Sequence, residues 1–476
     1  MDSLNKQRHW KMQFPNTYVL LFLITILMAV LSHIIPAGAF DRVDDAATGR
    51  TIVVAGTYKS VAATPTSLTT LLSSVYQGFL DCSDIIGLLL IMGATVGIII
   101  ESGAIHAIIA KLVKRLGTKT DLIFVVLMVC FSIASSIVGM AEELIVFVPL
   151  LLGVCRALDY DDLTACAVLV LGIYSSIGFS PISPYNLIIA QTIAQVPLYS
   201  GMGIRIFGLI GAVIIAIVYV LHYARKCAAN PEKSLLYDKK IKGYIINSEL
   251  VGKDSHSIDE YDMTTERKII LYALLITIIV LVYGVLVYKW YLTEMCALFF
   301  ALGLFCGIVA FHGDFNSMAE AMIKQASTLM GTAFLLALSR SIVYVMTDAQ
   351  MLDTFVYWFS LPLSKLNGLV AVWGIYVSQL IVNFFIPSSS GQAMAVMPVL
   401  APLCDIIGIN RNLAVHAFMT ADCYGNLIIP THPTTLAVLG FAGVSWIKWF
   451  KFAWKIVVLF SIWSCFVLSI AYFAWQ

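Results

Sequence analysis

Long apolar runs, separated by short polar stretches, occupy almost the whole chain. Most of these runs are near the length of about 20 residues that a helix needs to cross the hydrocarbon core of a membrane. Four runs are too short for that, and each lies next to a polar element. The short runs are residues 144–156, 187–196, 392–404 and 436–444. The pattern therefore predicts complete membrane spans interrupted by half-length helical segments.

The short runs predict two kinds of irregular element. Non-helical backbone is tolerated at membrane depth only where it is buried in protein or lines a water-filled cavity. We therefore expect re-entrant helical hairpins at 119–156 and 368–404. Transmembrane helices broken near their middle are expected over 162–196 and 411–444.

These irregular elements recur along the chain at a fixed interval. Shifting the sequence by 249 positions superposes three prolines and one leucine on residues of the same kind. The matched pairs are Pro149 and Pro398, Pro181 and Pro430, Pro184 and Pro433, and Leu187 and Leu436. Internal repeats that carry broken helices at corresponding places are typical of secondary transporters, and they mark a binding site near the membrane midplane.

The composition agrees with a membrane protein. Hydrophobic residues make up 60% of the 476 and charged residues only 12%, whereas soluble domains have about 25% charged residues. The ten cysteines lie mostly in apolar runs, without the spacing of a metal or redox site. We expect an all-α polytopic membrane protein, embedded in the lipid bilayer, with no nucleic-acid partner and no resident cofactor.

Basic residues predict the orientation in the membrane. The polar segment 225–268 is rich in Lys, and cytoplasmic loops carry the excess of Lys and Arg. We expect it to be a cytoplasmic linker between a first repeat, 1–224, and a second repeat of inverted topology, 269–476. The protein is then a multi-pass protein of a bacterial cytoplasmic membrane with a cytoplasmic N-terminus. Segments 103–117 and 348–366 fit helices that lie at the membrane interfaces.

Two adjacent acids, Glu142 and Glu143, lie at the predicted tip of the first hairpin. Ionisable residues at membrane depth are costly and usually functional. The two acids are candidates to bind a coupling Na⁺ or H⁺, or a cationic substrate. Alternatively, they stabilise the start of the return arm, where the helix dipole favours an anion.

Three hydroxyls, Ser388, Ser389 and Ser390, lie at the matching tip of the second hairpin, and Gln392 follows them. Hydroxyls at a helix start are good N-caps, but together with free backbone amides they also bind a carboxylate. Gln392 takes the position that matches Glu143, so the charge is not repeated and the two halves are expected to do different work. All four residues are candidates for contact with substrate or ion.

The two helix breaks place further polar groups in apolar surroundings. Pro stops a helix and frees backbone carbonyls. These carbonyls suit Na⁺, while the second half-helices, expected to begin at Leu187 and Leu436, suit an anionic group. His432 is either a pH-sensitive contact or a core histidine, and Asp422 either forms the site or makes an interhelical hydrogen bond. The candidates are Ser180, Ser183 and Asn186 in the first break, and Asp422, Asn426, Thr431, His432 and Thr435 around the second.

A single arginine, Arg340, lies in the middle of the apolar run 329–347. It could hold a substrate carboxylate through two parallel hydrogen bonds. The alternative, which we favour, is that it pairs with an acid or extends its long stem to the nearby interface.

The segments 14–18, Gly139-Met-Ala-Glu-Glu143, 387–393 and 440–446, in this order, resemble the YfcC/DcuC-like carriers. This group is named for anaerobic C4-dicarboxylate carriers and belongs to the wider ion-transporter superfamily. The resemblance covers nearly the whole chain and implies two opposed hairpins around a midplane site, ion-coupled symport or exchange, and assembly as a homodimer. Known members divide between C4-dicarboxylates and basic amino acids exchanged as arginine for ornithine.

We therefore expect a secondary active transporter of small carboxylate-bearing metabolites. Three buried acids, Glu142, Glu143 and Asp422, face only Arg340 and His432 as candidate cations. This balance favours a basic amino acid over a dianion, and the resemblance implies that such a solute is carried by antiport. If the acids serve Na⁺ or H⁺ coupling instead, a C4-dicarboxylate carrier remains open. The absence of a continuous polar stripe argues against a channel, and the absence of metal-binding and nucleophile motifs argues against an enzyme.

Overall fold

The computed structural model describes residues 17–45, 50–54, 56–104, 107, 120–138, 141, 143–238, 243–244, 262–288, 290, 292–363, 365–366 and 368–475. Within these ranges the chain is mostly helical, and seven helices are long and apolar enough to cross a membrane. The predicted polytopic α-helical membrane fold is therefore confirmed.

In the first half of the chain, irregular turns lead into two of the helices. A 3₁₀ turn over Glu143–Phe147 leads into α5, and a π-helical turn over Pro184–Ile188 leads into α7. The helices are α1 (Thr17–Leu31), α2 (Leu68–Asp81), α3 (Ser83–Glu101), α4 (Thr120–Val138), α5 (Val148–Ala157), α6 (Asp162–Ile177), α7 (Ile189–Ile193) and α8 (Met202–Ala229).

The second half begins after the segment that separates α8 from α9, and a π-helical turn over Gly284–Tyr288 extends its first helix. Its helices are α9 (Thr265–Tyr283), α10 (Leu292–Ala310), α11 (Phe315–Thr328), α12 (Met330–Asp348), α13 (Leu352–Leu363), α14 (Gly368–Phe385), α15 (Ser389–Ile407), α16 (Arg411–Gly425), α17 (Pro433–Ala442) and α18 (Trp446–Ala474).

Short antiparallel strand pairs lie outside the helical part. An ion pair fixes the first loop to α13, since Arg42 Nη2 lies 2.9 Å from Asp353 Oδ1 and the backbone amide of Phe40 donates to Asp353 Oδ2 at 3.0 Å. The pairs are β1 (Gly38–Ala39) with β4 (Lys59–Ser60), β2 (Arg42–Asp45) with β3 (Arg50–Val53), and β5 (Tyr237–Asp238) with β6 (Gly243–Tyr244).

The helices pack in two groups. In the first group α2 packs along α12, and α3 packs along α10 and α11. In the second group α4 packs along α6, α14 along α16, and α8 along α18. The groups meet where α12 contacts α17, so the second helix break lies at the boundary between them.

Two helices, α6 and α16, form the centre of the second group. Almost every residue of α6 and of α16 is buried, as expected for helices that are covered on all sides. Their N-cap residues, Asp161 and Asn410, each accept a hydrogen bond at 2.9 Å from a backbone amide of the first turn. The two helices therefore begin at positions that the 249-residue interval makes equivalent.

The structure corrects two expected helix boundaries. The second half-helices do not begin at Leu187 and Leu436 but three residues earlier, at Pro184 and Pro433, because the fixed φ of Pro suits the first helical position. The run 392–404 was expected to be half-length, yet α15 has 19 residues and contains Pro398 within it. The polar residues on both sides of the apolar run also take helical conformation.

α13 lies within the segment 348–366, whose position at a membrane interface stays a prediction, whereas the segment 103–117 lies largely outside the described residues. Helices also stand on both sides of each predicted hairpin tip. α4 ends at Val138 and α5 begins at Val148, while α14 ends at Phe385 and α15 begins at Ser389.

Candidate functional site

The fully buried carboxylate of Asp422 is the centre of the candidate site. It lies on α16 and accepts hydrogen bonds from the Ser389 hydroxyl, from Asn383 Nδ2 at 2.8 Å and from Asn426 Nδ2 at 3.4 Å. Among the residues that the structure describes, no basic side chain forms an ion pair with it. A buried carboxylate held only by neutral donors is suited to a cation that arrives from outside.

The amide nitrogen of Asn383 marks the point where several oxygen atoms converge. Asn383 Nδ2 lies 2.8 Å from Asp422 Oδ1, 3.1 Å from Asn426 Oδ1 and 3.3 Å from Gln392 Oε1. Because an amide NH₂ has two hydrogen atoms, it cannot satisfy three acceptors at once. Three oxygens around one point, one of them a carboxylate, form the kind of environment that hard cations and ammonium groups prefer.

The start of α15 holds this cluster in place. The N-cap residue Ser388 accepts from the backbone amide of Gly391, while Ser389 points to Asp422. Gln392 is fixed by two hydrogen bonds from its Nε2 to Gln379, at 3.1 Å to the carbonyl and 3.0 Å to Oε1. Ser390 is half-buried and takes no part in these hydrogen bonds.

Close backbone approach is also required. A Cβ atom at Gly425 would lie 2.5 Å from Asn383 Oδ1. Since that distance is far inside van der Waals contact, only Gly at this position lets α16 approach α14 closely enough for the Asp422–Asn383 hydrogen bond.

The second helix break is joined to the cluster by a hydrogen bond. Thr435 donates from its hydroxyl to the backbone carbonyl of Asn426 at 2.9 Å. His432 is the N-cap of α17 and accepts from the backbone amide of Thr435 through Nδ1. Its Nε2 lies 3.4 Å from the hydroxyl of Tyr174 on α6. His432 thus serves as the buried cap of α17 and also links the start of α17 to α6.

The carbonyl of Thr431 accepts from the Ser339 hydroxyl on α12 at 2.6 Å, and the Thr431 hydroxyl donates to the carbonyl of Phe384 at 3.0 Å. Arg340 follows Ser339, so the hydrogen bond from Ser339 to Thr431 brings the backbone of Arg340 near the residue that precedes His432. The Nε of Arg340 is buried without a hydrogen-bond partner. Among the described residues, the acidic partner expected for Arg340 is not found.

The first break forms a separate set of hydrogen bonds. Ser180 donates to the carbonyl of Ser136 at 2.6 Å and accepts from the amide of Ser183 at 2.9 Å. The Ser183 hydroxyl is buried without a partner, and Asn186 is buried in the π-helical turn. These residues close the turn after α6, and the hydrogen bonds of Asp422 go to other side chains.

The two acids of the first tip stay a prediction. Glu142 lies outside the described residues, and of Glu143 the structure gives only the backbone, which starts the 3₁₀ turn before α5. That turn contacts α17, so its backbone lies beside the second helix break.

Sequence reasoning missed two members of the cluster, Asn383 and Gln379. Both are buried amides on the apolar helix α14, four residues apart and therefore on one face. Polar side chains on the inside of a membrane helix form hydrogen bonds with neighbouring helices. This spacing was the signal that could have identified them.

Comparisons with known proteins indicate that the chain is similar to membrane carriers. The model of the family described as C4-dicarboxylate anaerobic carrier matches residues 14–473. A relative in Escherichia coli strain K12 named "Putative basic amino acid antiporter YfcC" is 28% identical, with 97% of this chain and 96% of that protein covered. A protein of Haemophilus influenzae is 26% identical, with 96% of each chain covered.

Two solved structures are also similar over nearly the whole chain. The YdaH transporter of Alcanivorax borkumensis has a TM-score of 0.41 at 16% identity, with 97% of this chain and 99% of that one covered. MtrF of Neisseria gonorrhoeae, from a class of antimetabolite efflux pumps, has a TM-score of 0.40 at 17% identity, with 98% and 96% covered.

Proposed function

The chain belongs to the C4-dicarboxylate anaerobic carrier family, and from that premise we propose that it is a secondary active transporter of small carboxylate-bearing metabolites. That it is a membrane transporter and not an enzyme follows from the family itself. The finer proposal concerns the solute. Our first candidate is a basic amino acid that is carried by antiport.

One observation carries this choice. The buried Asp422 carboxylate has three neutral donors and no basic partner among the described residues. A guanidinium or ammonium group of the solute supplies the missing positive charge, and its several N–H donors match the oxygens of Asp422, Asn426 and Gln392. The name of the Escherichia coli relative supports the same class of solute.

Apart from its cationic side chain, the proposed solute has the α-amino and α-carboxylate groups of an amino acid. Arg340, with its unpartnered Nε, follows Ser339, whose hydroxyl donates to the carbonyl of Thr431 just before the His432 cap of α17. A free guanidinium and the exposed amides of a helix start both favour an anionic group. We propose that the solute lies between Asp422 and this end of α17.

A second candidate is a C4-dicarboxylate carrier coupled to Na⁺ or H⁺. The same oxygen cluster around Asn383 supports it, since Na⁺ prefers oxygen ligands that include a carboxylate. In that case Asp422 belongs to the coupling ion, and Arg340 with Ser388, Ser389 and Ser390 would hold the dicarboxylate.

Counterflow in proteoliposomes tests the two candidates. Vesicles are loaded with ornithine, with succinate or with neither, and then offered labelled arginine or labelled succinate, with and without a Na⁺ gradient. We expect arginine uptake that requires internal ornithine and ignores the Na⁺ gradient. Succinate uptake driven by Na⁺ or by internal dicarboxylate would reject the antiporter and assign Asp422 to the ion.

We also propose the arrangement in the membrane. Both hairpins are re-entrant and enter from opposite sides, the repeats 1–224 and 269–476 have inverted topology, and 225–268 is cytoplasmic, as is the N-terminus. A reporter that is active only in the cytoplasm, inserted into 245–261, should be active. The homodimer that the resemblance implies is tested by the mass of the purified protein in detergent.

A further inference from the structure

Two fully buried basic side chains, Arg205 on α8 and His416 on α16, come together where Arg205 contacts Met419, one helical turn after His416. Arg205 projects from the first turns of α8, and His416 from the second turn of α16. Neither was identified from the sequence. Neither takes part in the site described above.

The guanidinium of Arg205 has almost none of the partners that such a group requires. Its Nη1 lies 2.9 Å from the sulfur of Met419, a weak acceptor. Its Nε and Nη2 are buried without any hydrogen-bond partner. Because an Arg side chain stays charged in proteins, its positive charge is buried here without compensation, which is costly.

His416 also lacks hydrogen-bond partners. Both ring nitrogens are buried without a partner, although the ring itself packs well, with the Phe179 ring centroid at 5.1 Å and that of Trp475 at 6.3 Å. The hydroxyl of Tyr424, whose ring lies 6.3 Å from that of Phe179, is also unpartnered. In the part of the chain that the structure describes, no carboxylate bonds to Arg205 or His416.

We propose that Arg205 and His416 together bind a small monovalent anion, either a free halide or a carboxylate group. One fixed positive charge is matched by one negative charge, and an anion accepts hydrogen bonds from the guanidinium and from the imidazole N–H at the same time. Arg205 reaches α16 at Met419, on a side where α16 faces α8, whereas Asp422 faces α14 and α15. The protein then has an anion site and a cation site on different sides of one helix.

The thermal stability of the purified full-length protein tests this inference, because a ligand that binds only the folded state raises the unfolding midpoint. The midpoint is measured while the bulky anion isethionate is replaced, at constant ionic strength, by chloride, bromide, formate or acetate. We expect a saturable rise. A rise with chloride and bromide identifies a free halide, and a rise with formate and acetate alone identifies the carboxylate of a solute. An unchanged midpoint in all four anions overturns the proposal.

Variants assign the effect to these side chains. Arg205→Gln and His416→Gln should remove the saturable rise. Arg225→Gln is the matched control, since Arg225 lies on the same helix but is exposed and paired with Asp121. If Arg205→Gln does not fold, equilibrium dialysis of the wild-type protein against labelled chloride and labelled acetate replaces it. Binding of one anion per chain supports the site, and no saturable binding rejects it.

Discussion

The thiol of Cys423 donates a hydrogen bond to the backbone carbonyl of Tyr174 at 2.9 Å, and the two residues are separated by the repeat interval of 249 positions. This contact fixes α16 against α6. It directs Asp422, the residue before Cys423, away from α6 and toward Asn383 on α14. The position equivalent to Asp422 in α6 is the apolar Ile173, so the charged cluster exists in the second half only.

Replacing Asp422 by Asn should reduce transport strongly without unfolding the protein. Asn keeps the shape and can still accept from Asn383, but it removes the charge that we assign to cation binding. Hydrogen bonds to charged groups contribute about 1.5–3 kcal/mol, so apparent affinity should fall about 10- to 100-fold. Initial uptake rates in proteoliposomes measure this. Asp405→Asn, which alters an exposed pair with Arg411, is the control and should transport normally.

The adjacent hydroxyls of Ser388 and Ser389 should respond differently to replacement. Ser389→Ala removes a donor to Asp422 and should raise the apparent Michaelis constant with little change in stability. Ser388→Ala removes the N-cap of α15 and should lower the free energy of unfolding by about 1 kcal/mol. Uptake kinetics and thermal unfolding of both variants distinguish these effects. Identical effects of the two replacements would contradict the separate roles.

Adding one methyl group at Gly425 should disrupt the cluster. The new Cβ would lie 2.5 Å from Asn383 Oδ1, and such overpacking costs about 1–3 kcal/mol. We expect Gly425→Ala to lower both the unfolding midpoint and transport. The matched control is Gly87→Ala in α3, where a Cβ meets no atom within 4 Å. Equal behaviour of the two variants would show that the close approach is unimportant.

The ion pair between Arg156 and Asp162 should stabilise the junction of α5 and α6. Arg156 donates from Nε and Nη2 to the two carboxylate oxygens, both at 2.7 Å, and Asp162 is buried. Arg156→Gln leaves that carboxylate unpaired, which should cost about 3–5 kcal/mol. The double variant Arg156→Gln with Asp162→Asn should recover part of the loss. Thermal unfolding of the two single variants and the double variant measures the coupling, and purely additive effects would refute it.

The sequence predicts the membrane fold, the repeat interval and the two helix breaks because these depend on apolar length and on Pro. It also identifies Asp422, Asn426, Ser389 and Gln392, because polar groups at membrane depth are rare and conspicuous. The sequence does not show which of these side chains contact one another in the folded protein. Ser180 and Ser183 are equally polar, yet they only close a turn around the carbonyl of Ser136.

Other features depend on packing, which a single sequence does not reveal. In the sequence Arg205 lies near the start of an apolar run, where a long side chain usually reaches water. In the structure it is fully buried and contacts Met419 of α16. Asn383 appears as one amide in a long apolar run. Only the approach of α16, permitted by Gly425, brings the Asn383 amide into hydrogen-bond distance of the Asp422 carboxylate.

The two central helices are related to each other by the repeat interval of 249 positions. α6 and α16 begin at equivalent positions, Asp162 and Arg411, and contact each other along buried faces. When two copies of one chain associate about a two-fold axis, the surface at that axis meets its own duplicate. A gene duplication that fused two such copies would leave this arrangement behind. The two halves now differ at this place, where the second carries Asp422 and the first carries Ile173.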